Sequence, residues 1–267
     1  MLSKALESRE LLWNLTLREL RGKYRRSFLG WTWSLLNPLS LVLIYSFVFS
    51  VIFGATAPTG IRSGVQNYAL FLLCGTLPWG FFALTTSLGM SALLSNAGLV
   101  RKAAFPRQTL IYAQAIFSLV QFSIEIVLLI VFSIVAGVSP SPMVLLLPIY
   151  MIILGIFSTG IALGLSVVLV YFRDVNYLWT IFLQIFFFVT PIFWAPTLIE
   201  SRASPLVINL IEWNPMNQFV QVFRSILYDS KLPSLLGTAV ITVCAFIFFI
   251  CGNLLFTKLN RRIAEEL

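Results

Sequence analysis

The chain contains no histidine, and its ten acidic residues are scattered, with Glu265 and Glu266 as the only adjacent pair. The absence of histidine excludes imidazole general-base catalysis. Scattered carboxylates also make a metal site of the usual His, Cys and carboxylate ligands improbable. No phosphate-binding loop of the GxxxxGKS/T type occurs either. We therefore predict no catalytic residue, no metal and no cofactor in this chain, and any energy for work must come from another chain.

Cysteine is also scarce. Cys74, Cys244 and Cys251 all fall in apolar stretches, so they are predicted to be small buried residues and not a disulfide framework. No signal peptide is visible, because residues 1–28 are dense in charge and the apolar run from Leu29 has no small-residue cleavage site.

Charged residues make up only 10% of the 267 positions, whereas 59% are apolar. A soluble globular chain has about 25% charged residues, so this composition indicates an integral membrane protein. A helix needs roughly 20 apolar residues to cross a bilayer. The sequence predicts an all-α protein with six membrane-spanning helices, at about residues 29–54, 68–95, 109–135, 144–171, 177–194 and 235–256.

The net charge of +8 would also suit a nucleic-acid partner. With six spans, however, fourteen of the eighteen basic residues lie on the side of the membrane that holds the two termini. The other side carries Arg62, Arg202, Arg224 and Lys231. This distribution follows the positive-inside rule, so we predict cytoplasmic N- and C-termini and no nucleic-acid partner.

The N-terminal segment 1–28 predicts an amphipathic helix. Its apolar residues recur in steps of three, four and seven at Leu6, Trp13, Leu17, Leu20, Tyr24 and Phe28. Arg18, Arg21 and Arg25 line another face. The helix would either lie along the membrane with its basic face toward head groups or a partner, or simply fix the topology.

The predicted inner segment 96–108 reads NAGLVRKAAFPRQ. A short helix that exposes Leu99, Val100 and Phe105 beside basic residues would fit a groove on a second protein.

Glu125 is the only carboxylate inside a predicted span, and it continues a polar stripe formed by Gln114, Ser118 and Gln121. Ionisable residues in a membrane suggest function, here a proton relay or a substrate acceptor. The favoured interpretation is that Glu125 bonds Gln121 or another helix. In the next span, Gly160 and Gly164 form a small-xxx-small motif that predicts close helix packing.

Between residues 197 and 230 the apolar groups are short and interrupted. Neither Leu206–Ile211 nor Phe219–Leu227 can cross a bilayer. We predict two short re-entrant helices over a pathway, and the alternative is an amphipathic loop on the membrane surface.

Aromatic residues follow one face of the fifth span at Trp179, Phe182, Phe186 and Phe193, and Trp194 closes the run. Tyr45 and Phe49 share a face of the first span above Pro38. Such surfaces suit the C–H faces of sugar rings, although most Phe side chains in membrane proteins pack between helices or face lipid.

Four segments together resemble the permease subunits of type-two ABC exporters for O-antigen, teichoic acid and galactan. They are LRELRGKYRRSFLGWTWSLLNPL (Leu17–Leu39), LVRKAAFPRQ (Leu99–Gln108), YFRDVNYLWTIFLQIFFFVTPIFWAP (Tyr171–Pro196) and EWNPMNQFVQVFRSILYDSKLP (Glu212–Pro233).

The resemblance implies a homodimer in the bacterial plasma membrane, bound to two copies of an ATPase that carries ATP and Mg. Its substrate would be a lipid-linked glycan. Residues 1–28 would form the interface helix, with Arg18, Arg21, Tyr24, Arg25 and Arg26, and residues 29–267 one permease domain.

The resemblance also implies roles for particular residues. The coupling helix seated in the ATPase would comprise Leu99, Val100, Arg101, Lys102, Phe105, Pro106 and Arg107. Gate and hinge positions would be Arg173, Asp174, Pro191, Trp194, Pro215 and Arg224. The channel would be lined by Tyr45, Phe49, Trp179, Phe182, Phe186 and Phe193.

Three alternatives remain. An exporter of drugs or small lipids shares the six-span plan, and a proton-coupled antiporter would use Glu125. A membrane glycosyltransferase would need clustered acidic residues for a metal-bound sugar nucleotide, and this clustering is missing.

Overall fold

The structure, a computed structural model, describes residues 2–22, 30–52, 54, 56–102, 105–139, 141–194 and 204–260. All regular secondary structure in these ranges is helical, which confirms the predicted all-α class. The helices are α1 (Leu2–Gly22), α2 (Trp33–Ser46), α3 (Tyr68–Ser95), α4 (Ala97–Lys102), α5 (Gln108–Val135), α6 (Leu147–Tyr171), α7 (Val175–Val189), α8 (Pro205–Glu212), α9 (Pro215–Leu227) and α10 (Leu235–Leu259). Two are extended by other helix types. A 3₁₀ turn (Gly30–Thr32) precedes α2 and a π-helix (Phe47–Ile52) continues it, while a 3₁₀ helix (Pro142–Leu146) leads into α6.

Four of the described helices, α3, α5, α6 and α10, are long and apolar enough to cross a membrane. α7 is apolar but shorter, and α2 reaches span length only together with its 3₁₀ and π extensions. The chain is therefore a multi-pass membrane protein, and the total of six spans stays a prediction.

Helix α3 is the centre of the bundle. It packs against α5 and α6 over most of its length and also contacts α2, α7 and α9. Its side chains are consequently buried on nearly all sides. A helix surrounded in this way is apolar all round, and this is why α3 carries no polar stripe.

Helices α6 and α10 approach closely through glycines. A Cβ atom built on Gly160 would lie 2.5 Å from the Phe249 Cα atom, and one built on Gly252 would meet the Gly160 backbone. One on Gly164 would lie 3.6 Å from a Leu255 methyl group. The packing role predicted for the small-xxx-small motif is confirmed.

The bundle has two ends. One end, here called the α4 face, holds α1, α4, the turn Phe172–Asp174 and the end of α10. Arg18 Nη2 donates to Asn96 Oδ1 at 2.6 Å, and Arg107 Nη1 donates to the Asn260 carbonyl at 2.7 Å. The other end, here called the loop face, holds residues 56–67, the turn around Gly137 and α9. Each long helix runs from one face to the other.

Within the predicted fifth span, 177–194, the helix α7 ends at Val189 and residues 190–194 are not helical. Pro191 has no backbone N–H to donate, and a residue before proline is driven out of the helical region. Thr190 is accordingly extended, with φ −81° and ψ 128°.

The cysteines differ in exposure. Cys74 is buried in α3, Cys244 is partly buried and Cys251 is exposed. The prediction that all three are buried is wrong for Cys251, because α10 packs on α6 with one face and turns the other outward.

Candidate functional site at the break after α7

The chain leaves helical geometry at Thr190, before α7 is long enough to cross a bilayer. Its 15 residues extend about 22 Å at 1.5 Å per residue, whereas the hydrocarbon core is about 30 Å thick. Thr190, Pro191 and Ile192 are nevertheless buried. Irregular backbone at membrane depth is tolerated only where protein or a water-filled cavity satisfies it, so the partners of these carbonyls matter.

Arg224 of α9 supplies those partners. Its Nη1 donates to the Pro191 carbonyl oxygen at 2.7 Å, and its Nη2 donates to the Ile192 carbonyl oxygen. The planar guanidinium presents its donors in a fixed fork, which suits two successive carbonyls. Arg224 therefore replaces, for this segment, the hydrogen bonds that a continuing helix would have made.

The surroundings of the guanidinium are unusual for a cation. Arg224 is only 3% exposed, and its Cζ atom lies 3.7 Å from the Phe71 ring centroid, a cation–π contact. A methyl group on Gly75 would lie 3.2 Å from Nη2, so glycine makes room there.

No described carboxylate forms an ion pair with Arg224. Burial lowers its pKa to about 10, which still leaves it charged at neutral pH. Asp229 interacts with it electrostatically without forming an ion pair. A cation buried this deeply is costly and indicates a functional position.

Asn214 fixes the start of α9 against the same segment. Its Oδ1 accepts from the backbone N–H groups of Met216 and Asn217, at 2.9 and 3.4 Å, and so caps the helix. Its Nδ2 donates to Thr190 Oγ1 at 3.2 Å. Pro215 occupies the first turn, where its missing N–H costs nothing. Both ends of the break are thus tied to α9.

Further bonds tie α9 and the break to the outer loop. Tyr68 Oη donates to the Phe193 carbonyl at 2.7 Å, Tyr228 Oη donates to the Pro58 carbonyl at 2.7 Å, and Ser63 Oγ donates to the Tyr228 carbonyl at 2.6 Å. Residues 56–67, the segment 190–194 and α9 therefore form one hydrogen-bonded unit on the loop face. A movement of α9 would move the end of α7 with it.

The two short helices predicted between residues 197 and 230 are present in the described part as α8 and α9, but their environments differ. α9 is buried against α3, α6 and α10. α8 exposes Leu206, Leu210 and, just after its end, Trp213. Residues 195–203, where the first of these helices was predicted to begin, lie outside the described residues.

The aromatic stripe of α7 is partly confirmed. Trp179 stacks on Phe182 with ring centroids 5.0 Å apart, and Phe182 stacks on Phe186 at 5.2 Å. Phe186 also meets Trp79 of α3 at 5.5 Å. The inclusion of Phe193 is wrong, because it follows the end of the helix and instead packs on Phe187 and Phe188.

Within the stripe Phe182 is the most outward, at 45% exposed. Tyr45 of α2 packs against the core, and the side chain of Phe49 lies outside those described. Trp194 Nε1 donates to the Phe188 carbonyl at 3.4 Å.

The coupling segment divides into buried and exposed parts. Arg101, Lys102 and Pro106 are exposed, as a docking surface requires. The predicted exposure of Val100 is wrong: it is 4% exposed and packs in a cluster with Leu15 and Ile111. α1 lies across α5 here and covers this side of α4. Leu99 and Phe105 are partly buried in the same cluster, and Arg107 is bonded to Asn260.

Helix α1 ends at Gly22, and Tyr24, Arg25 and Arg26 lie outside the described residues. Leu15 and Thr16 are buried, whereas Trp13 of the predicted apolar face is 61% exposed. The buried side follows the contact with α5. Arg18 reaches Asn96 beside α4, and Arg21 is exposed.

Glu125 has a nearby partner, since Gln121 Nε2 donates to its Oε1 at 2.9 Å. The favoured interpretation of this carboxylate is confirmed. Arg173 and Asp174 are exposed in the turn between α6 and α7.

The sequence analysis did not predict that Arg224 is buried. It also did not predict that Tyr68 bonds to the segment after α7, or that Gly75 leaves room for the guanidinium. A signal for Arg224 existed: it stands four residues after Val220 and three before Leu227, and thus on the apolar face of the helix. No comparable pattern marks Tyr68 or Gly75.

Comparison with known proteins gives a consistent result. A family model described as ABC-2 type transporter matches residues 10–228. The O-antigen export system permease protein RfbA of Myxococcus xanthus is 27% identical over 97% of this chain and 96% of its own length. Its namesake from Klebsiella pneumoniae is 29% identical over 97% and 95%. The polysialic acid transport protein KpsM of Escherichia coli is 25% identical over 79% and 78%.

Proposed function

The chain belongs to the ABC-2 type transporter family, and from this premise we propose that it is the permease subunit of an ATP-driven exporter of a lipid-linked polysaccharide. Two relatives that match it over nearly their whole length are named as O-antigen export permeases, and a third as a polysialic acid transport protein. The observation that carries the proposal is this full-length similarity, joined to a bundle whose α7 is interrupted and tied to a short buried helix. ATP hydrolysis belongs to a separate chain.

The chain crosses the plasma membrane six times in this proposal, with both termini in the cytoplasm. α2 with its extensions is the first crossing, and α7 with the segment 190–194 is the fifth. The distribution of charge supports this orientation. The α4 face carries Arg18, Arg21, Arg101, Lys102, Arg107, Arg173 and Lys258, whereas the described basic residues of the loop face are Arg62, Arg224 and Lys231. By the positive-inside rule the α4 face is cytoplasmic.

The proposed ATPase partner docks on the α4 face, one copy for each permease subunit. The exposed basic side chains of Arg101 and Lys102 form the contact, and buried Val100 anchors α4 to the bundle. Asn96, directly before α4, is bonded to Arg18 of α1, and Arg107, directly before α5, is bonded to Asn260 at the end of α10. Movement of the docking segment would therefore be transmitted to α1 and α10 through these two bonds.

Two copies of the chain form the channel, with α2 and α7 at the interface. Both helices flank α3, and both expose apolar side chains. On α2 these include Leu43, Ile44 and Phe47, and on α7 they include Leu178, Ile181 and Phe182. The stacked rings of α7 would give a sugar polymer a smooth wall with few fixed hydrogen bonds. α8 and α9 form the outer gate, and Arg224 joins that gate to α7.

The proposal predicts that depletion of this protein in its own host traps a glycan on the inside. Lipid-linked glycans extracted from the cytoplasmic leaflet should accumulate, and the same polymer should disappear from the cell surface. Re-expression of the wild-type chain is the control and should reverse both changes.

If the surface glycans stay intact after depletion and nothing accumulates inside, a polysaccharide is excluded as the substrate. An exporter of drugs or small lipids is then favoured. If the permease purifies without an ATPase chain under conditions that keep its two copies together, the ATP-driven mechanism is wrong.

A further inference from the structure

A cavity of about 540 Å³ opens on the loop face beside α9. Its walls come from the outer loop, from α9 and from the start of α10, and the end of α8 forms its rim. Its aromatic, amide and charged lining side chains include Glu212, Trp213, Gln221, Arg224, Asp229 and Lys231. Its volume falls in the range of roughly 300 to 1,000 Å³ that is typical of ligand pockets.

The cavity combines an aromatic surface with amides and charges. Trp213 is 68% exposed although it is a large apolar side chain, and it stands beside the carboxylate of Glu212. Asn217, Gln218 and Gln221 of α9 also line it. Asn217 is buried and its Nδ2 donates to the Ile211 carbonyl at 2.8 Å, while Gln218 Nε2 donates to the Glu212 carbonyl at 2.6 Å and Gln221 Nε2 donates to Asn217 Oδ1 at 3.4 Å. The exposed indole offers stacking to an apolar ring face, and the oxygens and second N–H groups of the two glutamine amides offer hydrogen bonds to hydroxyl groups.

An unmatched donor lies at the same place. The Nε–H of Arg224 has no hydrogen-bond partner in the described part of the chain, although the side chain is 97% removed from solvent by its neighbours. Buried donors in native proteins nearly always find an acceptor, from protein, water or ligand. The Arg224 side chain also lines the cavity, but Nε itself is closed to solvent, so a ligand oxygen would reach it only after a local rearrangement of the side chain.

The balance of charge restricts the class of ligand. Two carboxylates, of Glu212 and Asp229, face two cations, of Arg224 and Lys231, and Lys231 Nζ lies 3.5 Å from Asp229 Oδ2. Asp229 Oδ1 also accepts from the Ile61 N–H at 3.1 Å. The cavity therefore carries no net charge that would attract a phosphate or another anion. A neutral molecule rich in hydroxyl groups fits this set best.

We propose that this cavity is a saccharide-binding subsite, in which a sugar ring stacks on Trp213 and hydrogen-bonds to the amides of α9. For the source of its ligand the inference rests on the proposed function, since an exported glycan would emerge on this face. The subsite touches α9, and Arg224 belongs both to it and to the break after α7. A bound sugar would thus contact the proposed gate helix α9 directly.

The test measures binding of short neutral oligosaccharides to the purified full-length protein in lipid nanodiscs, by saturation-transfer NMR. The probes are oligosaccharides released by mild acid from the surface polysaccharide of the host, with neutral di- and trisaccharides alongside. Wild-type protein should give saturable signals. Trp213→Ala should raise the apparent Kd by about tenfold, as expected for loss of an aromatic anchor.

Gln221→Leu, which removes the amide and leaves an apolar side chain of similar size, should weaken binding as well. The matched control is Leu210→Ala, on α8 three residues before Trp213 and similarly exposed but outside the cavity, and it should bind like the wild type. Gel filtration of each variant verifies folding.

Absence of saturable binding to any of these probes, or equal binding by Trp213→Ala and the wild type, would overturn the subsite. Neither result affects the depletion experiment, which tests export itself. Conversely, if the purified protein binds sugar but the surface glycan of the host survives depletion, the subsite is supported and the proposed export function is wrong.

Discussion

Arg224 illustrates how one side chain can replace a missing stretch of helix. The helix ends at Thr190 and Pro191, and the carbonyl oxygens of Pro191 and Ile192 then accept hydrogen bonds from a guanidinium that belongs to another helix. A lysine in this position would offer a compact point charge without a planar fork. The structure of the break therefore depends on arginine specifically, and not only on positive charge.

Arg224→Lys is accordingly expected to destabilise the protein, and Arg224→Gln more so. A hydrogen bond to a charged group contributes about 1.5 to 3 kcal/mol, so the loss of one such bond should lower the Tm by about 5 to 10 °C for a chain of this size. Thermal unfolding in detergent measures the change, and the surface glycan of the host reports the effect on export.

Arg62→Gln is the matched control, since Arg62 lies exposed on the same face and its substitution removes the same charge. It should leave the Tm within about 1 °C, because surface substitutions have small effects. If Arg224→Lys unfolds at the same temperature as the wild type, the guanidinium does not hold the break.

At the residue scale, the partner of Glu125 could be predicted from the sequence, whereas the burial of Arg224 could not. The polar stripe on α5 predicted the Gln121 partner of Glu125, because residues four apart on a helix are neighbours. Arg224, by contrast, was read as a charge that interrupts an apolar run. Its helix is too short to show whether it is buried, and only packing against α3 and the break decides that.

At the scale of elements, α4 combines a buried and an exposed side in six residues. Val100 points into the cluster under α1, while Arg101 and Lys102 stay exposed. A docking helix needs both properties, because a contact that is not anchored to the bundle cannot transmit movement. The same division separates substitutions that affect docking from those that affect folding.

Lys102→Glu is expected to weaken association with the ATPase and leave the permease folded. Reversal of charge at the rim of an interface introduces repulsion against a surface that is complementary to a cation. After affinity purification of the permease, the amount of retained ATPase should fall by about fivefold or more. Unchanged Tm and membrane insertion would distinguish this loss from unfolding.

Lys258→Glu serves as the control, because Lys258 is exposed at the end of α10 on the same face and carries the same charge. The ATPase should remain bound to that variant. Equal retention by the two variants and the wild type would mean that α4 is not the docking helix. Val100→Ala, in contrast, is a core truncation and should lower stability first.

The elements were predictable to different degrees. Strong apolar runs predicted α3, α5, α6 and α10, because length and hydropathy decide membrane insertion locally. The helix α7 ends five residues before the predicted end of its span, since an apolar run continues past Pro191 while the helical backbone does not. Which side of α1 is buried could not be predicted either, because α1 packs on α5 and the sequence of α1 alone does not show where α5 lies.

For the molecule as a whole, the fold class followed from composition alone, because 59% apolar residues leave no soluble alternative. The arrangement of the helices around α3 did not follow from it. Nearly every span is apolar on all sides, so the sequence pattern cannot distinguish a face against lipid from a face against protein. The proposed interface between two copies, on α2 and α7, is hard to predict from the sequence for the same reason.

Orientation in the membrane is the property of the whole molecule on which the proposed mechanism depends. The α4 face must lie in the cytoplasm, because an ATPase is found only there, and the cavity beside Trp213 must then lie outside. Charge asymmetry acts during insertion, through the short loops between spans. It fixes which face is retained inside and is independent of how the gate later moves.

Single cysteines placed on the two faces should therefore react differently with a membrane-impermeant maleimide. Arg62→Cys on the loop face and Gly98→Cys on the α4 face suit this purpose, because both positions are exposed and a side chain at Gly98 meets nothing within 4 Å. The native cysteines are first replaced by alanine, and retained export verifies each variant. In spheroplasts Arg62→Cys should be labelled at once, and Gly98→Cys only after the membrane is permeabilised. The reverse pattern would place α4 outside the cell, where no ATPase could couple to it, and the ATP-driven mechanism would fail with it.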